Sequence, residues 1–398
     1  MENGSAATRV GYSGDTQPKY IIPTLYGKSG ETKYFGDAID EPRSNMDVFS
    51  PMSDGCVQDW NAMADIWKYV YQDKILFDPS EAPLAITEQA WNPATNRQRA
   101  LEVAFEDLKV PAFSIVKSPI CAAYESGRPT ALVIDIGSSV ASVTPVVDGN
   151  IFTKAAFHSR FAGDFVNLHI LTHLESRGIN ITPQYLVKKK SLLDPGQPAR
   201  PELYSYSDIA PSFHAYQVAK VLHNFKETTS QVSDVPFTHA SPFARIGRQF
   251  EFPDGFNLAF GPERFTTTEP LFKPSQFTVP GIPLPEGGVY GLGDLLYLSL
   301  SKLDVPPEVL MNLLGNIIVT GGSSLLQGMP NRIEQDILHM FPNYSPRFYL
   351  PVNAHERKCL NWSGASILAS LGSFDNMWVT KREYEELGPE VAEKRFKM

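Results

Sequence analysis

Ala131-Leu132-Val133-Ile134-Asp135-Ile136-Gly137-Ser138-Ser139, running on through Val140-Ala141-Ser142-Val143-Thr144-Pro145-Val146-Val147, is the stretch that decides the fold. Its first six positions are apolar except for Asp135, the pattern of a strand covered on both faces. Gly137-Ser138-Ser139 interrupts that run, and a second β-like run from Ser142 to Val147 follows, so the interruption reads as a hairpin turn. A turn of small residues can offer backbone N–H groups to phosphate oxygens, while the carboxylate of Asp135, two residues before the glycine, faces a hydrated Mg2+. Glu2-Asn3-Gly4-Ser5 repeats the spacing, an acid followed two positions later by Gly-Ser. Either turn alone is an ordinary hairpin turn; a pair of them, one from each half of the chain, would grip a polyphosphate from both sides of a cleft.

Outward from this hairpin the chain keeps alternating strand and helix. A helical period runs from Gly163 to Ser176, and Asn316 opens a run, NIIVTGGSS, whose apolar strand ends in a Gly-Gly turn before an amphipathic helix from Met329 to Met340. The pattern predicts an α/β fold. Between Pro183 and Gln249 it breaks into mixed polar, Pro-rich and aromatic sequence, which predicts the least regular part of the second half. Pro270 to Gly288 is Pro-rich and predicts an extended connection rather than a helix. The run Lys188-Lys189-Lys190 reads first as a solvated loop and only second as a nuclear-import element.

Composition narrows the function classes. A chain of 398 residues with 42% hydrophobic content can bury a substantial core, and a net charge of −9 argues against strong direct binding of nucleic acid. Cys56, Cys121 and Cys359 stand far apart without a CxxC, which suits neither a zinc site nor a disulfide framework and favours a reducing compartment. No apolar run is long enough to span a bilayer, and MENGSAATRV has no hydrophobic signal core, so the chain reads as soluble and intracellular, with no membrane partner. The histidines, from His158 to His355, are scattered without an HExxH and read as isolated surface or core residues.

Longer blocks carry a family resemblance. Asn3-Gly4-Ser5 with Gly11-Tyr12-Ser13-Gly14-Asp15, Asp54-Gly55-Cys56-Val57 with Asp59-Trp60, Thr87-Glu88 with Asn92-Pro93, Phe161-Ala162-Gly163-Asp164, Thr320-Gly321-Gly322-Ser323 and the block from Trp362 to Leu387 follow one another in the order found in actin. The chain resembles actin and the actin-related proteins over nearly its whole length, and within that family it looks most similar to the nuclear actin-related protein 4 class of chromatin-remodelling and histone-acetyltransferase complexes. The short segment after Tyr26, Trp91 before Asn92-Pro93 and the C-terminal extension favour that class over conventional actin. The segment from Pro183 to Gln249 carries no recognisable counterpart of actin's adenine-contacting helix.

The resemblance implies an actin-like fold of two lobes, each a mixed sheet flanked by helices around a nucleotide cleft. The first lobe would span 1–126, the second 127–354, and 355–398 would return to the first. Residues Ser126 to Arg128 and Asn353 to Trp362 would form the base of the cleft. It implies ATP with Mg2+ in a structural role, held by Gly4, Ser5, Gly137, Ser138, Ser139, Gly321, Gly322 and Ser323, with Asp135 at the metal and Lys358 beside the adenine. No catalytic residue is implied, because Ser118 and Ser142 stand where actin has a glutamine and a histidine, and Ser138 replaces a second acid; a serine is too short to orient the attacking water or take its proton. Glu2 takes the place of the family aspartate with only Met1 before it, so the strand leading into the first turn is expected to be missing or to lie ahead of this sequence. Expected partners are monomeric actin, a long helix of a remodelling ATPase or scaffold subunit, and histones, in the nucleus. The alternatives are an ATPase or small-molecule kinase on the same scaffold, against which stands the lack of an identifiable catalytic aspartate, and a filament-forming protein, against which stands the short segment after Tyr26.

Overall fold

In the computed structural model, which describes residues 1–237, 246–277 and 289–396, Ala131–Ile136 and Ala141–Val147 pair antiparallel from Ala131 opposite Val146 to Ile136 opposite Ala141. Ala131–Ile136 also lies parallel to Ile317–Thr320, with Asp135 opposite Thr320, so the strand ending in the Gly-Ser-Ser turn and the strand ending in the Gly-Gly turn finish side by side. Asn150–Ile151, Phe157–Ser159 and Phe348–Tyr349 complete this sheet. Leu132, Ile134, Val166, Ile170, Phe225 and Ile317 pack a continuous core beneath it.

A second sheet is built from β1 (Glu2–Asn3), β2 (Ala7–Val10), β3 (Tyr20–Pro23), Leu84–Glu88, Ala112–Lys117 and Val379–Thr380. The first strand expected to be missing is present over two residues: β1 is short but central, with Glu2 opposite both Arg9 of β2 and Thr87. The Met1 amino group donates to the Ala85 carbonyl at 2.7 Å, and Thr87 N–H donates to the Met1 carbonyl at 3.0 Å, which anchors the turn that follows. Helix α1 (Trp60–Tyr69) starts where the Asp59 carboxylate accepts from the Ala62 N–H, and it covers this sheet with Ile66 and Trp67. Helix α2 (Ala94–Glu102) adds Leu101 to the same core.

The two sheets meet where α3 (Ser118–Glu125) packs against the helix Ala354–Ser370. A Cβ at Gly364 would stand 1.8 Å from the Cys121 carbonyl oxygen, so no other residue permits this approach. Beyond it, α4 (Gly163–Ser176) occupies the bounds expected from its period.

The segment from Pro183 to Gln249 departs from its reading as irregular. It contains α5 (Pro211–Thr229), the longest helix among the described residues, begun by Pro211 in its first turn. Residues 238–245 lie outside the described residues. In the Pro-rich stretch, Glu269–Leu271 and Pro274–Gln276 are single 3-10 turns rather than extended chain, and 278–288 again lie outside the described residues.

An arm of the first half reaches the second through α5. Its strands β4 (Tyr26–Ser29), β5 (Thr32–Tyr34) and β6 (Asp47–Phe49) form a small sheet in which β4 is central. Met46 buries against Ala210 and Phe213. Asp40 accepts from Tyr216 at 2.8 Å and from Lys220 at 2.7 Å, and Val48 N–H donates to Ser212 at 3.1 Å.

Candidate functional site

The two Gly-Ser turns have the same construction. Gly4 N–H donates to the Ala7 carbonyl at 3.1 Å and Gly137 N–H to the Val140 carbonyl at 2.9 Å, so each hairpin closes over four residues and leaves the middle of the turn free. The N–H groups of Ser5, Ala6, Ser138 and Ser139 make no hydrogen bond among the described residues. Unpaired N–H groups on a tight turn form a concavity suited to an anion. The Gly-Gly turn joins them from below. Gly321 has φ +88°, and a Cβ there would lie 2.4 Å from the Ile136 carbonyl oxygen and 2.5 Å from Asp135 Oδ1, so both conformation and space demand glycine.

These turns line one cavity of about 660 Å³, a size that suits a drug- or nucleotide-sized ligand. Gly4, Ser5, Asp135, Gly137, Ser138, Ser139, Gly321, Gly322, Ser323 and Lys358 all face it. Of the expected cleft base, Ala354, His355, Lys358 and Asn361 do so, whereas Ser126 to Arg128, which follow the C-terminus of α3, do not.

Acid and base meet at the cavity floor. Asp135 Oδ2 accepts from the Asn361 amide at 3.0 Å, and Glu2 pairs with Arg9 at 3.2 Å. Burial pushes the Asp135 carboxyl up to about 6; Asn361 and Arg9 oppose the shift and Glu2 adds to it. Glu2 Oε2, Arg9 Nε and Asn361 Oδ1 are buried without a hydrogen-bond partner, an unusual concentration of unsatisfied polar atoms along one cavity.

Three side chains of α5 that sequence reading missed close the opposite wall: His223, Lys226 and Glu227. Lys226 donates to the Gly163 carbonyl at 2.9 Å, and burial draws its ammonium down to about 8, with Asp164 and Glu227 pulling the other way. Glu227 accepts from Lys358 at 2.8 Å and lies 3.4 Å from His223 Nε2. Those contacts, that of His223 foremost, hold its carboxyl down at about 2 against burial. Phe213, Gln217, Val221 and Phe225, spaced by four, mark the buried face of the helix, but a buried glutamine within that row weakens the pattern.

At the far end of the cavity Trp91 stacks on His158, ring centroids 3.9 Å apart and nearly parallel. Asp54 pairs with His158 and with Arg160, each at 3.2 Å, and its carbonyl accepts from the Trp91 indole at 2.9 Å. Ser142 lines the main cavity, while Ser118 lines a small adjoining space of about 30 Å³ behind β1. Gln89, also unremarked in the sequence, lines both.

The donor set fits a nucleotide with Mg2+. Free turn N–H groups, Arg9 and Lys226 suit phosphates, and the unpartnered Glu2 oxygen stands near Asp135. No group of three or more His, Cys, Asp or Glu able to hold a metal occurs among the described residues. A cation here would therefore keep most of its ligands as water and phosphate oxygens, the habit of Mg2+. One pairing was overlooked in the scattered histidines: His169 and His173 stand one turn apart on α4, both with a buried Nε2 lacking a partner, and burial lowers the pKa of both.

Comparison with known proteins gives a consistent result. The family model described as Actin matches residues 1–397. Actin-related protein 4 of Yarrowia lipolytica is 38% identical over 416 residues, covering 100% of this chain and 95% of the relative. The SWI/SNF and RSC complexes subunit arp42 of Schizosaccharomyces pombe is 37% identical, covering 100% of this chain and 98% of its own. Actin-related protein 4 of Oryza sativa subsp. indica is 31% identical, covering 98% and 96% respectively.

Proposed function

The chain belongs to the actin family, and from that premise we propose that it is a non-filamentous nuclear actin-related subunit of chromatin-remodelling or histone-acetyltransferase complexes that holds Mg-ATP without efficient hydrolysis. The observation that carries the nucleotide part is the convergence of two identically built Gly-Ser turns, with free N–H groups, on one cavity. The relative named as a subunit of SWI/SNF and RSC complexes supports the assembly part.

In this reading the turns and Arg9 hold phosphates, Asp135 and Glu2 face the hydrated cation, and Lys358 with Glu227 and His223 borders the base. The cation supplies charge neutralisation to the phosphates. Ser142, which replaces a longer side chain beside Asp135, neither reaches a water beyond the phosphates nor takes its proton near neutral pH. Loss of general-base help alone costs about 10²- to 10⁴-fold in rate. ATP then acts as a structural ligand, stabilising the folded chain by mass action. The lobes divide at 126 and 354 in this proposal, with 355–398 returning to the first.

The docking part proposes that a long amphipathic helix of the remodelling ATPase or a scaffold subunit, adjacent to an actin monomer, lies in the groove of about 250 Å³ lined by Ile120, Tyr124, Leu368, Leu371, Phe374 and Met377. Tyr124 and Leu371 are exposed there, and an apolar groove of this kind suits helix-in-groove binding. Histones are a further proposed partner.

A thermal-shift titration tests the nucleotide part. At a ligand concentration of about 100 Kd the expected stabilisation is about 2.7 kcal/mol, accompanied by negligible phosphate release; no shift at millimolar Mg-ATP overturns it, and steady phosphate release well above background revives the ATPase reading. Capture of the tagged chain from nuclear extract tests the assembly part: recovery of actin and remodeller subunits, lost in Leu371→Glu, is expected, and recovery of neither overturns it.

A further inference from the structure

The carbonyl of Gly137, at the head of the second turn, is held by two donors from separate elements. Gly163 N–H reaches it at 3.2 Å from the first turn of α4, and Ser323 Oγ reaches it at 2.8 Å from the turn after Gly321. One residue on, the Ser138 carbonyl accepts from Asp164 N–H at 2.7 Å, and the Ser138 hydroxyl donates to the Asp164 carboxylate at 2.9 Å. Lys226 completes the junction by donating to the Gly163 carbonyl. The second turn, α4, the turn after Gly321 and α5 are thereby joined at one point beside the cavity. The space is filled: a Cβ at Gly163 would stand 2.4 Å from Ser323 Oγ, 3.0 Å from Lys226 Nζ and 3.2 Å from the Gly137 carbonyl oxygen.

We infer that Gly163 and Ser323 are positioning residues for the second turn, acting through the Gly137 carbonyl, and that Lys226 locks α5 onto the same junction. With both lone-pair directions of that carbonyl occupied by protein donors, the peptide at the head of the turn has one orientation. The free N–H groups of Ser138 and Ser139 then face an incoming phosphate without reorganisation, which is the source of tight binding by a preformed site. Ser323 is thus committed through its hydroxyl to the turn, and its contribution to a bound nucleotide is indirect. The inference rests on the nucleotide reading for its consequence but not for its geometry.

Ser323→Ala removes one donor and leaves its cavity neighbours in place. In the ligand-free chain, amide exchange in peptides covering 136–142 and 160–166 is expected to accelerate about tenfold, the population change from one lost hydrogen bond, and Mg-ATP affinity is expected to fall by a similar factor. Ser323→Thr, which retains the hydroxyl, is expected to restore both. Gly163→Ala pushes against Ser323 Oγ and is expected to do at least as much damage alone. The double variant Gly163→Ala/Ser323→Ala removes the clashing oxygen and is expected to be no weaker than Gly163→Ala, a non-additivity that independent structural defects do not produce. Unchanged exchange in Ser323→Ala, or strictly additive effects in the double variant, overturns the inference. If Gly163→Ala fails to fold, Ser323→Ala with Lys226→Met carries the test, since Lys226→Met removes the lock while keeping the length of the side chain. If the unmodified chain gives no thermal shift with Mg-ATP, the nucleotide reading falls, and the exchange rates still decide the positioning roles.

Discussion

In the proposed role of Asp135 at the cation, nucleotide binding and the stability of the ligand-free chain oppose each other. Burial pushes its carboxyl up to about 6 in the folded chain from an ordinary 3.8. Between those values the folded chain keeps a proton that the unfolded chain has lost, so stability falls as pH rises through the window and the loss is complete above it. The cost in the ligand-free chain is on the order of 2 kcal/mol once solvent in the cavity is allowed for. A bound cation reverses the balance by favouring the carboxylate. Asp135→Asn is accordingly expected to melt higher than the unmodified chain at pH 7.5, by a margin that shrinks towards zero as pH is lowered to 4, and to lose its response to Mg-ATP. Paired melting curves across that range check this; a margin independent of pH sinks it. Asp135 was legible in the sequence because everything that marks it is local, an acid two residues before Gly-Ser at the end of an apolar strand. Asn361, whose amide it holds, and Arg9, which faces Glu2 across a hairpin, are ordinary polar residues until the fold brings them together.

Helix α5 shows the same limit one level up. Its sequence, PSFHAYQVAKVLHNFKETT, hides its period because polar side chains share the buried face: Gln217, Lys226 and Thr229 are as enclosed as Phe213 and Phe225. Those polar residues are buried for what they touch, the Asp40 carbonyl for Gln217 and the Gly163 carbonyl for Lys226, and neither partner is near in sequence. By contrast, α4 and the strands around Gly137 could be read directly, since their apolar residues face one core and repeat cleanly. The first half of α5 carries the arm and its last turns line the cavity, so one rigid element links them. Phe213 is fully buried, stacked edge-on against Tyr185 and packed on Met46. Phe213→Ala is expected to cost about 3–5 kcal/mol, with protease cleavage appearing first within 36–49. Tyr216→Phe removes only the hydroxyl donated to Asp40 and is expected to cost about 1 kcal/mol. Chemical denaturation with limited proteolysis measures both, and cleavage elsewhere before 36–49 would separate the arm from α5.

At the scale of the whole chain, the two sheets are tied around the cavity at several separate places: the α3 contact with Ala354–Ser370, the Asp54 cluster with its Trp91–His158 stack, and the arm on α5. The arm bears on assembly. Its sheet has two edges, and the β6 edge is blunted within the same chain, since Val48 N–H is spent on Ser212 and the adjoining Asn45 N–H on the Asp208 carbonyl at 2.7 Å. A covered edge cannot template a neighbour's strand. The connection between β4 and β5 is only Gly30 and Glu31, too short to reach a pocket on a following subunit, and the longer connection from β5 to β6 is held down on α5 through Asp40 and Met46. Head-to-tail filaments need such a projection matched to a pocket, repeated without closure. The purified chain is therefore expected to sediment at its monomer mass of 44.2 kDa with Mg-ATP and added salt, at every concentration up to tens of micromolar. Concentration-dependent pelleting would overturn this, and pelleting confined to an arm-releasing variant such as Asp40→Asn would locate the block in the arm's docking on α5.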